Sequence, residues 1–571
     1  MHLPRLSPPH SVWWILLLAA LALGTGLGLR DPSPPDEPRF VLAAQAMVES
    51  GQWAIPHRGV EPYAHKPAPF MWLQALAYTV VGNWRIAFLL PSLLAALGTL
   101  WLTTDLATRL WDRRAGLLAG WALLACLQFG LQAKRGQIDM VLVFWTTLSL
   151  WALSRHLLRG PDWRALALGG LAAGIGTVTK GVGFLPLLIL LPWWLARRRG
   201  MQLPMDGYRD RRWWWLPVGF LAGVGVWLVP MLWTVARGTD PALHAYAAEI
   251  LLKQTGTRYA NAWHHVKPAW YYLQVIATLW LPGALLLPWL APQWWRRIRA
   301  GDARVLLLVG WAVLVLLFFT ASPGKREVYL FPALPALCVA AASLLPALLD
   351  RTSVRRVLLG YVVVLASAAL VLAAGGLSGT GWLHGVASER ALDAATVRSL
   401  LLWAGVLGLG GLALAAWGRT VRAGAVAVAF NLLLWTAYGL GLAPALDASS
   451  SAREMMQQVR TRIGSEATLG LVGWREQHLL QATGPVTEFG FSRDERLQWR
   501  DGVAWLAQDP SRRWVFALKE AAESCVDPAQ LIQLGRSSRR DWVLVPGDAY
   551  VTGCVPPVPA DLHVSAAAAP D

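Results

Sequence analysis

The 571-residue sequence is poor in charge. Asp, Glu, Lys and Arg make up 15% of it, against 55% hydrophobic residues. So little charge cannot cover a soluble chain of this length, which excludes a simple cytosolic enzyme, and the apolar content excludes intrinsic disorder. Lysine is scarcer still, at 7 of the 51 basic residues. No basic stripe interleaved with aromatics occurs in a polar segment, so the net charge of +17 does not imply a nucleic-acid partner. No internal repeat is visible, and the polar C-terminal stretch lacks a nucleophile elbow, a glycine-rich phosphate loop and a metal-spaced cluster.

What the sequence does contain is long apolar runs, with 34 Trp and 36 Pro. Trp anchors membrane interfaces, and Pro is better tolerated in membrane helices than in soluble ones. A hydrocarbon core about 30 Å thick needs about 20 apolar residues per helix. Thirteen candidate runs lie near 12–29, 85–103, 115–133, 138–155, 165–178, 182–196, 213–235, 269–290, 304–321, 328–349, 355–375, 399–418 and 423–445. The first has Arg5 before it but no convincing cleavage site, so it is expected to remain as a helix rather than be removed as a signal peptide. The two runs around Lys180 are short enough to be half-spans meeting at a kink.

Charge orients these spans. With a cytoplasmic N-terminus, the inner loops hold 22 Arg and no Lys, including Arg113–Arg114, Arg197–Arg199 and Arg355–Arg356. The outer loops are longer and mixed in sign. That asymmetry is a strong topology signal, and thirteen spans then leave the tail from about Asp447 outside; the expected location is a bacterial-type inner (plasma) membrane. All six membrane-domain lysines, Lys66, Lys134, Lys180, Lys253, Lys267 and Lys325, fall on the outer side. Lys is a compact point charge suited to phosphate, so lysine kept in an arginine-rich chain asks for a reason. Chance combined with avoidance of Lys inside is the alternative.

The first outer loop, 30–84, reads Asp36-Glu37-Pro38-Arg39-Phe40, then Ser50-Gly51-Gln52-Trp53, and ends Pro62-Tyr63-Ala64-His65-Lys66-Pro67. Paired acids just outside a membrane helix fit a base and its partner. A helix N-cap with an acid in the first turn reads the same way.

These pieces, in this order, resemble the GT-C glycosyltransferases, above all the aminoarabinose transferase and protein O-mannosyltransferase superfamily. Further matching pieces are Lys134-Arg135-Gly136-Gln137-Ile138-Asp139, Thr179-Lys180-Gly181, His265-Val266-Lys267-Pro268-Ala269-Trp270-Tyr271-Tyr272, and Ser322-Pro323-Gly324-Lys325 with Tyr329 and Pro332. The resemblance covers about residues 10–350. One departure is that the family's acid before the loop-one lysine is His65 here.

The resemblance implies inverting transfer of a sugar from a polyprenyl-phosphate donor to a lipid, protein or envelope-glycan acceptor on the outer face. It implies Asp36 and Glu37 as catalytic residues, and Lys66, Lys180, Lys325, Arg39 and Arg135 around the donor phosphate. It implies Tyr63, His65, Asp139, Arg258, His265 and Tyr329 as substrate-binding. No cofactor is obligatory, no structural zinc is expected, and a divalent metal stays open, with the His65 departure bearing on it. Asp139 also reads as an N-cap or as an ion pair with Arg135, and His264–His265 as interfacial residues.

The expected fold is therefore a GT-C-like multi-span helical domain, residues 1–446, followed by a small extracytoplasmic α/β domain, 447–571. Residues 450–464 read as an amphipathic helix, Leu469–Trp474 and Trp542–Pro546 as strands, and 565–571 as disordered. Cys126 and Cys338 read as apolar fillers inside spans. Cys525 and Cys554 are the only pair in the outer tail, where an oxidising compartment favours a disulfide over two free thiols. A transporter or flippase of lipid-linked sugars is the alternative function. It predicts midplane charges and repeats, whereas the ionisable residues gather at one face.

Overall fold

The computed structural model describes residues 10–204, 210–252, 266–379, 392–522, 524–537 and 540–557. The chain forms two compact units. The first comprises 1–29, 64–378 and 401–442, and the second 30–63, 379–400 and 443–571.

The first unit is helical, and the chain is a multi-pass membrane protein. Among the described residues, seven helices are long and apolar enough to cross a membrane: Trp84–Leu110, Ile138–Arg159, Arg211–Arg237, Ala303–Ala321, Thr352–Leu377, Ala394–Gly418 and Ala423–Ala445. Two bent pairs bring the total to as many as nine, if each pair is one span. Arg113–Leu124 meets Leu127–Ala133 at 68°, and Tyr271–Leu279 meets Gly283–Arg299 at 104°. The other expected spans are shorter elements, His10–Gly24, Trp163–Thr179, Leu185–Ile189 running into Leu190–Arg198, and Ala333–Ala342 followed by Leu345–Leu349. Around Lys180 a helix does end and the chain does turn, with Gly183 folded back against the Gly176 backbone.

Small residues bring the spans together. Trp163–Thr179 carries Gly170 and Gly174, and Trp215–Arg237 carries Gly219 and Gly223, each pair four residues apart. A Cβ on any of the four would lie 2.2–2.4 Å from a carbonyl oxygen of the facing helix. Lipid tails are as apolar as leucine and give helices no hydrophobic reason to associate, so close backbone packing of this kind supplies the contact.

The second unit is built on a five-stranded sheet, in the order Val486–Glu488, Thr468–Val472, Arg513–Leu518, Arg540–Pro546, Ile532–Ser537. Its strands are β3 (Thr468–Val472), β4 (Val486–Glu488), β5 (Arg513–Leu518), β6 (Ile532–Ser537) and β7 (Arg540–Pro546); the hairpin strands β1 (His57–Arg58) and β2 (Glu61–Pro62) precede them. β3 runs parallel to β4 and β5, while β7 is antiparallel to β5 and β6. Side chains alternate across the sheet. Leu469, Leu471, Phe516 and Leu544 pack with Met455, Met456 and Val459 of the helix Arg453–Ile463. Val515, Ala517, Val543 and Val545 pack with Trp499, Val503 and Leu506 of the helix Glu495–Leu506.

A cut at 446 would leave loop one with the spans, but residues 30–63 group with the C-terminal residues. Leu42, from the loop-one helix Glu37–Ser50, sits in the same apolar cluster as Met455, Leu471 and Trp542. β1 and β2 turn at Gly59, whose φ of 66° suits glycine. The following Val60 N–H donates to Glu488 Oε1 at 2.7 Å.

Cys525 and Cys554 are disulfide-bonded with Cα atoms 5.3 Å apart, while Cys126 and Cys338 are free and buried. The bond joins residues 29 positions apart in sequence. Replacing both by Ser is expected to destabilise this unit by about 3 kcal/mol through the released loop-closure entropy. Thermal unfolding of the full chain with and without reductant checks this, and an unshifted transition would refute it.

Candidate active site

One cluster forms within the second unit. Glu37 opens the helix Glu37–Ser50 and is 3% exposed. Arg30 donates to its two oxygens at 2.6 and 2.8 Å, and the Ser33 N–H donates to Oε2 at 2.8 Å. Both oxygens are thus committed to fixing the start of the helix.

Asp36 holds the cap position but makes no side-chain capping hydrogen bond, so ordinary capping does not account for its carboxylate. Its Oδ1 lies 3.6 Å from Arg39 Nη1, one turn on. Arg39 Nε in turn lies 3.5 Å from Glu476 Oε1, and Arg58 Nη1 lies 3.4 Å from the same oxygen. Arg58 is pinned over the Phe491 ring at 3.6 Å, with Tyr63 at 5.4 Å. Asp31, 3% exposed, accepts from Arg453 at 2.6 Å, and its own N–H donates to Asp447 Oδ1 at 2.8 Å.

Burial sets the protonation states here. It pushes the Tyr63 phenol up to about 12, against the pull of Arg39 and Arg58, so Tyr63 keeps its proton at neutral pH. Burial lowers Arg58 against the attraction of Glu476. Burial alone would lower Arg39 as well, yet its neighbours Tyr63, Glu476 and Asp36 together lift it above its ordinary value. Both guanidinium groups stay cationic.

A second cluster forms within the first unit, from motif pieces far apart in sequence. Asp139 lies in the first turn of the helix Ile138–Arg159, where a carboxylate suits the helix dipole. Lys180 caps the C-terminus of Trp163–Thr179 in extended backbone. Its Nζ is 2.5 Å from Asp139 Oδ1 and sits 5.0 Å over the Tyr329 ring. The two side chains are only 13% and 10% exposed. The pairing of Asp139 is thus with Lys180, 41 residues away in sequence.

The remaining lysines differ in role. Lys325 is buried, and its Nζ donates to Ser322 O at 2.7 Å and Lys267 O at 3.2 Å, tying two loops together. Lys134 is buried and donates to Thr25 O at 2.7 Å, Thr25 Oγ1 at 2.9 Å and Leu23 O at 3.2 Å. It therefore caps the end of the helix His10–Gly24, as a cation does for orphan carbonyls. Lys66 and Arg135 are half-buried and Lys267 is exposed. His65 Nε2 lies 3.8 Å from Glu249 Oε1, both part-exposed. Lys253, Arg258, His264 and His265 lie outside the described residues. Among the described residues no three of His, Cys, Asp and Glu converge in a way that would hold a metal ion.

Arg30, Arg58 and Glu476 were not among the residues singled out from sequence. Arg58 and Glu476 are 418 positions apart, and no local pattern links them.

Comparison with known proteins adds the following. Residues 65–205 match the family model described as dolichyl-phosphate-mannose-protein mannosyltransferase. The undecaprenyl phosphate-alpha-4-amino-4-deoxy-L-arabinose arabinosyl transferase of Pseudomonas aeruginosa is 29% identical over 548 residues, covering 90% of this chain and 91% of that protein. A relative of the same name from Pseudomonas fluorescens is 33% identical over 350 residues, covering 59% of this chain and 58% of the relative. The crystal structure of ArnT from Cupriavidus metallidurans bound to undecaprenyl phosphate superposes with a TM-score of 0.73 at 21% identity, covering 96% of this chain and all of that one. At that identity the likeness is one of fold.

Proposed function

We propose, on the premise that the chain is an aminoarabinose transferase-like member of the GT-C glycosyltransferase superfamily, that it moves a sugar from an undecaprenyl-phosphate-type donor to an acceptor at the outer face of the membrane. The acceptor class is a lipid A-like glycolipid, a protein hydroxyl or an envelope glycan. The observation that carries the reading is the Lys180–Asp139 pair at 2.5 Å beside Tyr329, with Asp139 buried and Lys180 half-buried, assembled from two separate motif pieces. Transfer is favoured over transport because a relative named as a transferase spans nine tenths of the chain.

The chemistry assigned to the residues balances. The bond from the anomeric carbon to the phosphate oxygen breaks, and its electron pair stays on the carrier phosphate. An acceptor oxygen bonds to the opposite face of the sugar, and its proton goes to Asp36. Charge growing on the leaving phosphate is stabilised by cations, a role assigned to Lys180 and Lys66, with Arg135, Arg39 and Lys325 as further candidates. Glu37, held by Arg30, keeps Asp36 at its helix start. Tyr63, His65, Asp139, Arg258, His265 and Tyr329 contact the sugar or acceptor. The finer topology belongs to this proposal too: thirteen spans in a bacterial inner membrane, an inner N-terminus and an outer C-terminal domain.

The test uses purified full-length protein in nanodiscs, an undecaprenyl-phosphate-linked aminopentose and a bacterial envelope glycolipid fraction. One acceptor species is expected to gain one sugar mass for each carrier phosphate released, with inverted anomeric configuration. Carrier release without any glycosylated acceptor, or no turnover with any envelope fraction, would overturn the proposal.

A further inference from the structure

We infer that Glu476 is a positioning residue for this transfer, governing Asp36 through Arg39; the inference rests on the reading just given. Four charged groups of the second unit form one run. Asp36 Oδ1 is 3.6 Å from Arg39 Nη1, Arg39 Nε is 3.5 Å from Glu476 Oε1, and the same oxygen is 3.4 Å from Arg58 Nη1. Glu476 Oε1 thus lies between the two guanidinium groups, with Glu61 also acting on Arg58. Glu476 stands in the first turn of the helix Glu476–Gln481 and is 6% exposed. It therefore acts on both in a place where water screens little.

The position of Glu476 differs from that of the other bonds fixing loop one. Val60 to Glu488, Ser492 to Glu61 and Arg453 to Asp31 hold the loop at points away from Arg39. Glu476 is the carboxylate that shares Arg39 with Asp36. With its charge removed, Arg39 keeps Asp36 as its carboxylate neighbour and is drawn onto it. An Asp36 oxygen held in a tight ion pair has a lone pair engaged that proton abstraction needs. The chemical step then slows more than donor binding weakens, because Glu476 reaches the donor only through Arg39, one of several cations assigned to the phosphate.

The experiment compares Glu476→Gln and Glu476→Asp with wild type in the nanodisc assay, reading kcat, the donor KM and the melting temperature. Glu476→Gln keeps the shape and loses the charge. It is expected to lower kcat about 10-fold, with donor KM within about 2-fold. Glu476→Asp keeps the charge one methylene further back and is expected to retain about a third of the rate or more. It also remains informative should Glu476→Gln not fold. In an Asp36→Asn background, Glu476→Gln is expected to change the residual rate by less than about 2-fold, since a residue acting through Asp36 has nothing left to act on. Full activity in Glu476→Gln, or equal losses in both variants accompanied by a raised KM and a lowered melting temperature, would overturn the role of Glu476. Wild-type protein that transfers nothing would instead overturn the functional reading beneath it.

Discussion

Asp36→Asn is expected to lower the transfer rate by about 10²-fold or more while donor affinity changes little. The substitution preserves size and the helix start and removes one thing, the capacity to take a proton. Asp36 holds the cap position without making a capping hydrogen bond, so the loss of helix stability is small. Glu37 provides the contrast. Its oxygens are held by Arg30 and Ser33, so Glu37→Gln is a change of scaffold, which strips charge from a buried pair that fixes the loop. Transfer rate at saturating donor, with donor affinity measured separately, separates the two effects. The choice of acceptor sharpens the test. A hydroxyl acceptor must lose a proton, whereas a phosphate acceptor arrives ionised and needs Asp36 only for orientation. A large loss with hydroxyl acceptors alone identifies a base, a smaller loss with phosphate identifies an orienting group, and an unchanged rate with both removes Asp36 from the chemistry.

How much of this was legible in the sequence follows from the range of each interaction. Membrane spans depend on a local property, mean hydropathy over about 20 residues, and each bent or unbroken helix lies on an expected apolar run. Their number is harder to read, because a single Pro or Gly can end or bend a helix while the run as a whole stays apolar. Leu185–Ile189 tightens into a 3₁₀ turn with a proline at its start. The motif residues were legible one at a time, but their partners were not. Asp139 offered a local partner in Arg135 and takes Lys180. Lys134 matched the same pattern of retained lysines as Lys180, yet it caps a helix end. The docking of loop one was illegible for the same reason. Leu42 is one apolar residue in an ordinary amphipathic helix, and only the folded chain places it beside Met455 and Leu471.

The pair Lys180–Asp139 gives the second large effect, and it separates structure from chemistry. Lys180→Met leaves Asp139 a carboxylate that is 7% exposed and has lost the ammonium at 2.5 Å. Breaking one side of such a pair costs about 3–5 kcal/mol. The rate is expected to fall by at least about 10²-fold if the ammonium stabilises the leaving phosphate. A single substitution confounds these two losses. The double variant Lys180→Met/Asp139→Leu resolves them. Leucine has the branched shape of aspartate, methionine has the length of lysine, and an apolar pair of similar volume is often as stable as the buried ions it replaces. Tyr329, which holds the ammonium over its ring at 5.0 Å, can pack as well on a methionine thioether. The double variant is therefore expected to regain most of the lost melting temperature and none of the lost transfer. Donor affinity should stay weakened in both variants, because the cation is missing from both. Should transfer return along with stability, the pair is a structural tie between two helices, and the phosphate-binding role passes to Lys66 and Arg135.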